Sequence, residues 1–152
     1  MNNPPSPSVP TPQTASAVPA IHGAAPLETI RLILPLPCRR LSPNCPCGSV
    51  GARFAKAAAV KKYRALTRSA VEAQQVETAP WHYTEAHATF FFKDRRRRDT
   101  DNALASLKSA YDGITESGLI PDDDSEHLLR HMPAFQFDPR NPRVEITLTH
   151  LH

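Results

Sequence analysis

Apolar and polar residues alternate in ways that predict four β-strands in this chain. Residues 28–36 are apolar and partly alternating, with Pro35 and Pro37 near their end. Residues 82–92 alternate around alanine and aromatic positions, while 127–137 and 143–151 are typical of two further strands. A period of two places alternate side chains on opposite faces of a sheet. We therefore predict a sheet of about four strands.

Two other segments have the spacing of amphipathic helices. Residues 53–75 contain strong helix formers and no helix breaker, with apolar residues along one side. The apolar residues of segment 101–118 recur at spacings of three and four, at Leu104, Leu107, Tyr111 and Ile114. Gly118 is a plausible end for this second helix. The order strand, helix, strand, helix, strand, strand predicts one small α+β domain with a mixed sheet.

The first 26 residues differ in composition from the rest of the chain. Residues 1–26 are rich in proline, serine, threonine and alanine and contain almost no charged or aromatic residues. Such a segment buries too little apolar surface to offset the entropy lost on ordering, so we predict a disordered tail. The remaining residues, 27–152, are long enough for one domain and too short for two.

A run of arginines leads directly into two aspartates, and an acidic cluster follows about twenty residues later. The run is Arg95, Arg96, Arg97 and Arg98, the two aspartates are Asp99 and Asp101, and the cluster is Asp122, Asp123 and Asp124. Positive charge attracts a polyanion, and grouped carboxylates bind a divalent cation. Alone, either motif is more often a solvated surface or loop. Together they indicate a metal-dependent enzyme acting on a nucleic-acid backbone.

The predicted second helix carries a polar stripe beside its apolar one. Asp101, Lys108 and Asp112 fall within roughly 40° of one another at 100° per residue. Three carboxylates brought together would repel by roughly 3 kcal/mol per pair at an effective dielectric of about 20, so a cation or protons must neutralise them. Oxygen ligands favour Mg²⁺ or Mn²⁺ over zinc. Lys108 would add a fixed positive charge beside the scissile phosphate.

A second basic surface lies on the predicted helix 53–75. Its basic side includes Lys61, Lys62 and Arg64, which could follow DNA phosphates; a solvated helix surface explains them equally well. The net charge is only +3, but the chain has 18 lysines and arginines, and most of them lie between residues 52 and 98. Local basicity of this kind matters more for DNA binding than the total charge.

The motifs resemble those of the RusA-type Holliday junction resolvases. The similar stretches are Asp94–Asn102, the pair Lys108 and Asp112, and Gly118–Asp123, with Leu41–Asn44 similar to the family's amino-terminal region. The resemblance covers roughly residues 28–150. In the best-known pattern the lysine follows the second aspartate by four residues, whereas here it follows by seven. Both spacings return to the same face of a helix.

The resemblance implies a small homodimeric endonuclease that uses Mg²⁺ to place paired nicks across a four-way DNA junction. It also implies that Asp99, Asp101 and Asp123 bind the metal and that Lys108 is the catalytic lysine. Because three aspartates are consecutive, Asp122 and Asp124 remain alternatives for the third ligand. Two other functions stay open: a related nuclease for flaps, forks or RNA–DNA hybrids, and a basic DNA-binding protein without catalysis.

The remaining sequence features concern location and other metals. There is neither an apolar run of membrane-spanning length nor a secretory signal, so we expect a cytoplasmic protein. Cys38, Cys45 and Cys47 are expected to be reduced thiols, with structural zinc as the alternative. His127 and His131 are expected on a strand, at the surface or facing DNA.

Overall fold

The computed structural model describes residues 27–152, which form an α+β domain with a five-stranded mixed sheet. The predicted tail, residues 1–26, lies outside the described residues. In chain order the elements are β1 (Thr29–Leu34), a 3-10 turn (Arg39–Leu41), α1 (Val50–Glu72), β2 (Thr84–Phe92), α2 (Thr100–Ser106), α3 (Lys108–Glu116), β3 (Leu128–Arg130), β4 (Ala134–Phe137) and β5 (Arg143–His150). The predicted fold class is therefore confirmed.

The sheet is built around β2 and β5. Strand β5 pairs antiparallel with β1 on one side and with β2 on the other. On the edge of β2 opposite β5, two short strands pair parallel with β2, one after the other along its length. Strand β3 pairs with Thr84–Ala86 and β4 pairs with Thr89–Phe92. The strand order is thus β1-β5-β2-β3, with β4 also on β2. Strand β2 is the centre to which most of the sheet is attached.

Alternate residues of the central strands form the core. On β2 and β5 the buried apolar residues are Ala86, Ala88, Phe90, Val144, Ile146 and Leu148. They share one hydrophobic cluster with Tyr63 of α1 and with Tyr111 and Ile114 of α3. Because side chains alternate across a strand, the residues between them point to the opposite face of the sheet. On β2 those residues include Glu85 and His87.

Helices α1 and α3 approach each other closely at Gly113. A Cβ atom at Gly113 would lie 2.4 Å from the backbone oxygen of Arg64 and 3.1 Å from the Cβ of Thr67. The absence of a side chain at this position therefore allows the two backbones to touch. Helix α3 ends at Glu116, and Gly118 follows with a φ of +81°, a left-handed conformation that favours glycine.

The single helix predicted for 101–118 is wrong, since the structure divides it into α2 and α3. Leu107 lies between the two helices, as the C-cap of α2 and the N-cap of α3, with φ −89° and ψ 1°. Its amide donates to Leu104, three residues back, so the chain tightens into a 3-10-type turn there. Leu107 is fully buried, and the apolar spacing continues through the turn. Asp101 and Lys108 consequently belong to different helices.

The single strand predicted for 127–137 is also wrong. It is divided into β3 and β4 by His131, Met132 and the buried Pro133, so the sheet has five strands rather than about four. Proline has no amide hydrogen and cannot donate to a strand ladder. The other predicted elements are confirmed with small shifts of their ends. Helix α1 begins earlier than predicted because Ser49 caps it by accepting from the Ala52 amide at 3.1 Å.

None of the helices within residues 27–152 combines the length and apolar character needed to cross a membrane.

Candidate metal centre and nucleic-acid interface

Asp99 and Asp101 lie at the amino-terminal end of α2. The Asp99 carboxylate accepts hydrogen bonds from the backbone amides of Asp101, at 2.8 Å, and Asn102, at 3.4 Å. Asp99 is therefore the N-cap of this helix. The Asp101 side chain is exposed, and its carboxylate makes no hydrogen bond or ion pair with any residue between 27 and 152. Of the two, Asp101 has the carboxylate that is free to bind a ligand.

Asn102 joins the start of α2 to the loop after β1. Its side-chain nitrogen donates to the Asp99 carboxylate at 3.2 Å, and its side-chain oxygen accepts from Asn44 at 3.2 Å. Asn44 and Asn102 belong to two stretches, far apart in the sequence, that carry the family resemblance. Their contact fixes the loop of residues 41–44 beside the two aspartates.

Lys108, the first residue of α3, lies between two carboxylates. Its ammonium contacts Asp112 at 2.9 Å and Asp123 at 3.0 Å. Hydrogen bonds to Asp112 and Asp123 raise the pKa of Lys108 above its ordinary value, so it is charged at neutral pH. Asp123 also has Arg130 at 3.9 Å. The structure thus brings together the predicted lysine and the predicted third aspartate, which are 15 positions apart.

Arg64 extends this charged cluster to α1. Its guanidinium donates to Asp112 at 3.3 Å and to Glu116 at 3.0 Å, and both acceptors lie on α3. The predicted phosphate-binding role of Arg64 therefore competes with two ion pairs inside the domain. Lys61 and Lys62 are exposed and make no ion pair with the described residues, so they remain available for a phosphate backbone.

The arginine run has members of two kinds. Arg98 is held in place: it donates to Asp94 at 2.6 Å, and its guanidinium lies 3.7 Å from the centre of the Phe92 ring. The hydrogen bond from Arg98, aided by the Arg96 amide, lowers the pKa of Asp94. The Arg96 side chain is 83% exposed, and its Nε makes a longer contact of 3.7 Å with the Asp94 carboxylate. Arg98 thus supports the local fold, whereas Arg96 presents its charge to solvent.

The other two arginines extend the exposed part of the run. Arg97 is exposed, and Arg95 is exposed with its guanidinium 4.5 Å from the centre of the Phe137 ring on β4. Arg95, Arg96 and Arg98 line a cavity of about 390 Å³ together with the aromatic residues Phe92 and Phe137. Positive charge beside aromatic rings suits a phosphate backbone with a base stacked nearby.

The three predicted metal ligands do not form a closed group. Among residues 27–152, three side chains from the His, Cys, Asp and Glu set have ligand atoms within 4.8 Å of one another at Glu85, His87 and His131. Asp99, Asp101 and Asp123 do not. Asp123 forms an ion pair with Lys108, whereas Asp99 and Asp101 lie at the start of α2.

Several residues of these clusters had only weak signals in the sequence. Asp112 was visible from its spacing of four to Lys108, but its contact with Arg64 depends on how α1 packs against α3. His127, expected to face solvent or DNA, is partly buried, and its Nδ1 donates a hydrogen bond to the Asp124 carboxylate at 2.9 Å. That hydrogen bond, ahead of those from the Glu126 and His127 amides, lowers the pKa of Asp124.

The three cysteines are free thiols, and Cys38 is exposed. Within the described part of the chain they form no group of metal ligands. A comparison with profiles of known protein families gives no match, and a comparison with curated proteins gives none either.

Proposed function

We propose that this protein is a Mg²⁺-dependent, structure-specific endodeoxyribonuclease that resolves four-way DNA junctions. The observation that carries the proposal is the position of Lys108. It contacts Asp123 at 3.0 Å and begins the helix directly after the short helix that bears Asp99 and Asp101. Exposed arginines lie immediately before those aspartates. A charged lysine, carboxylates and a basic segment are the groups that metal-assisted phosphodiester cleavage uses, and their presence supports the proposal.

Asp99, Asp101 and Asp123 would hold the metal ion, for which Mn²⁺ could substitute. Their donor atoms are all oxygen, as Mg²⁺ prefers, and Mg²⁺ in enzymes typically uses one or two carboxylates, with water and substrate phosphate as its other ligands. Because their ligand atoms are not all within 4.8 Å of one another, the three carboxylates would have to move closer together to bind one ion jointly. When bound, Mg²⁺ would supply Lewis-acid polarisation of the scissile phosphate.

The protein's own side chains would orient the DNA and stabilise charge. Lys108, held by two carboxylates, would place a fixed positive charge beside the phosphate as negative charge develops there. Arg95, Arg96 and Arg97 would bind neighbouring phosphates, and Lys61 and Lys62 would extend the basic surface along a second duplex arm. These contacts read shape and charge rather than base sequence.

We further propose that the enzyme acts as a homodimer in the cytoplasm. A four-way junction has two-fold symmetry, and paired nicks require two identical sites related by the same axis. A two-fold dimer supplies those sites with a single kind of subunit. The free cysteines suit a reducing compartment.

One observation favours a second candidate, a basic DNA-binding protein without catalysis. Asp99 caps α2, and Asp112 and Asp123 both form ion pairs with Lys108, so these acidic groups have structural roles that need no metal. In that case DNA binding would persist unchanged in EDTA, and no nicks would appear with Mg²⁺.

A cleavage assay on a synthetic four-way junction separates the candidates. The wild-type chain should nick the junction symmetrically with Mg²⁺ and not with EDTA. The D101N variant should lose cleavage by orders of magnitude while junction affinity holds or rises, because a negative charge facing phosphate is removed. The control is E77Q, which neutralises an exposed carboxylate outside the charged clusters and should cleave normally.

Cleavage by D101N near the wild-type rate would overturn the site assignment. A substrate panel of junctions, flaps, forks and RNA–DNA hybrids would then identify the preferred structure. If a flap or fork were cleaved in preference to the junction, the proposed metal chemistry would stand, but the substrate would be a flap or fork.

A further inference from the structure

Glu85, His87 and His131 form a cluster on the face of the sheet opposite the helices. Glu85 and His87 are two residues apart on β2, so both project from the same side. His131 directly follows β3, the parallel neighbour of β2, and its amide donates to the Ala86 carbonyl at 3.0 Å. The backbone hydrogen bonds of the sheet therefore fix the three Cα positions.

The side chains converge through their ligand atoms. The Nε2 of His131 lies 3.6 Å from one carboxylate oxygen of Glu85, and the Nε2 of His87 lies 3.8 Å from the other. The two imidazole rings are stacked, with their centres 3.9 Å apart and 11° between their planes. All three ligand atoms lie within 4.8 Å of one another.

These distances are too long for hydrogen bonds, which have donor–acceptor separations of about 2.7–3.2 Å. The Nε2 atom of His131 is also buried without a hydrogen-bond partner among the described residues. Buried polar atoms normally have partners, so this nitrogen calls for an explanation. Direct bonding within the cluster does not provide one.

A metal ion bound between the three ligand atoms would explain the buried Nε2 of His131, because that nitrogen would then have a partner. Tetrahedral zinc sites have Zn–N and Zn–O distances of about 2.0–2.2 Å, which separate neighbouring ligand atoms by roughly 3.4 Å. The separation of 3.6 Å between His131 Nε2 and Glu85 Oε1 is close to that value, and His87 Nε2 lies 3.8 Å from the other carboxylate oxygen, Oε2. Because an imidazole binds a metal in its own ring plane, the stacked rings of His87 and His131 would have to rotate about their side-chain torsions to direct both nitrogens at one ion.

We propose that Glu85, His87 and His131 form a binding site for a borderline divalent transition metal, with Zn²⁺ as the representative ion. Imidazole nitrogens select such metals over Mg²⁺, which takes oxygen ligands. The site is distinct from the aspartates of α2 and from the cysteines. Its three protein ligands leave a fourth coordination position open to water or to a further ligand. Bound metal would tie β2 to the segment between β3 and β4.

Zn²⁺ titration of the chelator-treated, untagged full chain tests the site. We expect one tight site per chain by calorimetry in the C38S/C45S/C47S background, which removes the competing thiols. H87A, H131A and E85Q should each weaken that site by at least about 100-fold, whereas H127A, a histidine outside the cluster, should bind as tightly as the parent. Saturating Zn²⁺ should raise the thermal unfolding temperature of the parent and of H127A but not of H131A.

Two further measurements make the result specific. Co²⁺ bound in place of Zn²⁺ should lack the charge-transfer absorption that thiolate ligands give, and excess Mg²⁺ should not displace it. D101N should keep Zn²⁺ binding, so the failure of one proposal leaves the other intact. Unfolding curves of the metal-free variants establish that they fold. Unchanged affinity in folded H87A and H131A, or binding that disappears with the cysteines, would overturn the proposal.

Discussion

The contact between α1 and α3 at Gly113 can be tested by adding a single methyl group. The G113A variant would place a Cβ atom 2.4 Å from the Arg64 carbonyl oxygen, where real Cβ contacts begin near 3.0 Å. The neighbouring atom is rigid backbone, so the two helices must separate by roughly 0.6 Å to relieve the clash. The same movement would shift Arg64 relative to Asp112 and so disturb the charged cluster.

The expected effect on stability has two opposing parts. Overpacking of this kind costs about 1–3 kcal/mol, and replacing glycine by alanine within a helix returns about 0.5–1 kcal/mol. We therefore expect G113A to lower the free energy of unfolding by about 1–2 kcal/mol. For a domain of this size that is a decrease in Tm of roughly 4–8 °C.

Gly51 supplies a matched control for this substitution. It also lies in a helix, the first turn of α1, but a Cβ atom there would have nothing within 4 Å. G51A should therefore raise the unfolding free energy by up to about 1 kcal/mol, because only the propensity gain applies. Urea and thermal unfolding of both variants measure the difference. Equal stabilisation of both variants would refute the close approach of α1 and α3.

Three other predictions concern charge and the tail. If the proposed role of Lys108 is right, K108M should reduce junction cleavage by about 100-fold with little loss of DNA affinity, because the ammonium beside Asp123 would stabilise charge that develops during cleavage. K108R should restore part of the activity. Equal cleavage rates for wild type and K108M would contradict this role. Neutralising Arg96 and Arg97 together should reduce the number of counterions released on DNA binding by roughly two, and R140Q should leave that number unchanged. Anisotropy titrations over a salt series measure it as the slope of log affinity against log salt concentration. An unchanged slope would show that these arginines do not bind phosphates. Deleting residues 1–26 should leave Tm and cleavage nearly unchanged, and a large loss of either would show that the tail docks on the domain.

The elements with a clear period were predictable from the sequence, and the interruptions were not. The alternation at 143–151 and the helix formers of 53–75 gave the right element types. The turn at Leu107 could not be seen in the sequence, because the apolar residues of segment 101–118 keep a spacing of three and four on both sides of it. The prediction of one strand over 127–137 overlooked Pro133, and the pairing of the two resulting strands with β2 depends on tertiary contacts.

The candidate site was predictable only in part, for a similar reason. Local sequence spacing was enough to relate Lys108 to Asp112. The motif named Lys108 and Asp123 as site residues but did not predict their contact, and Arg64 reached the cluster only through the packing of two helices. Glu85 and His87 had the spacing of two that puts ligands on one face of a strand. Their partner, His131, could be found only from the parallel pairing of β3 with β2.

The division of the sheet's second edge into β3 and β4 has a consequence for solubility. A long edge strand exposes a continuous row of unpaired amides and carbonyls, on which a strand of another molecule can assemble. Here that row is broken after three residues of β3 and resumes for four residues in β4, with Pro133 between them. Neither piece is long enough to template an extended strand. The interruption therefore protects the domain against edge-to-edge aggregation on this side.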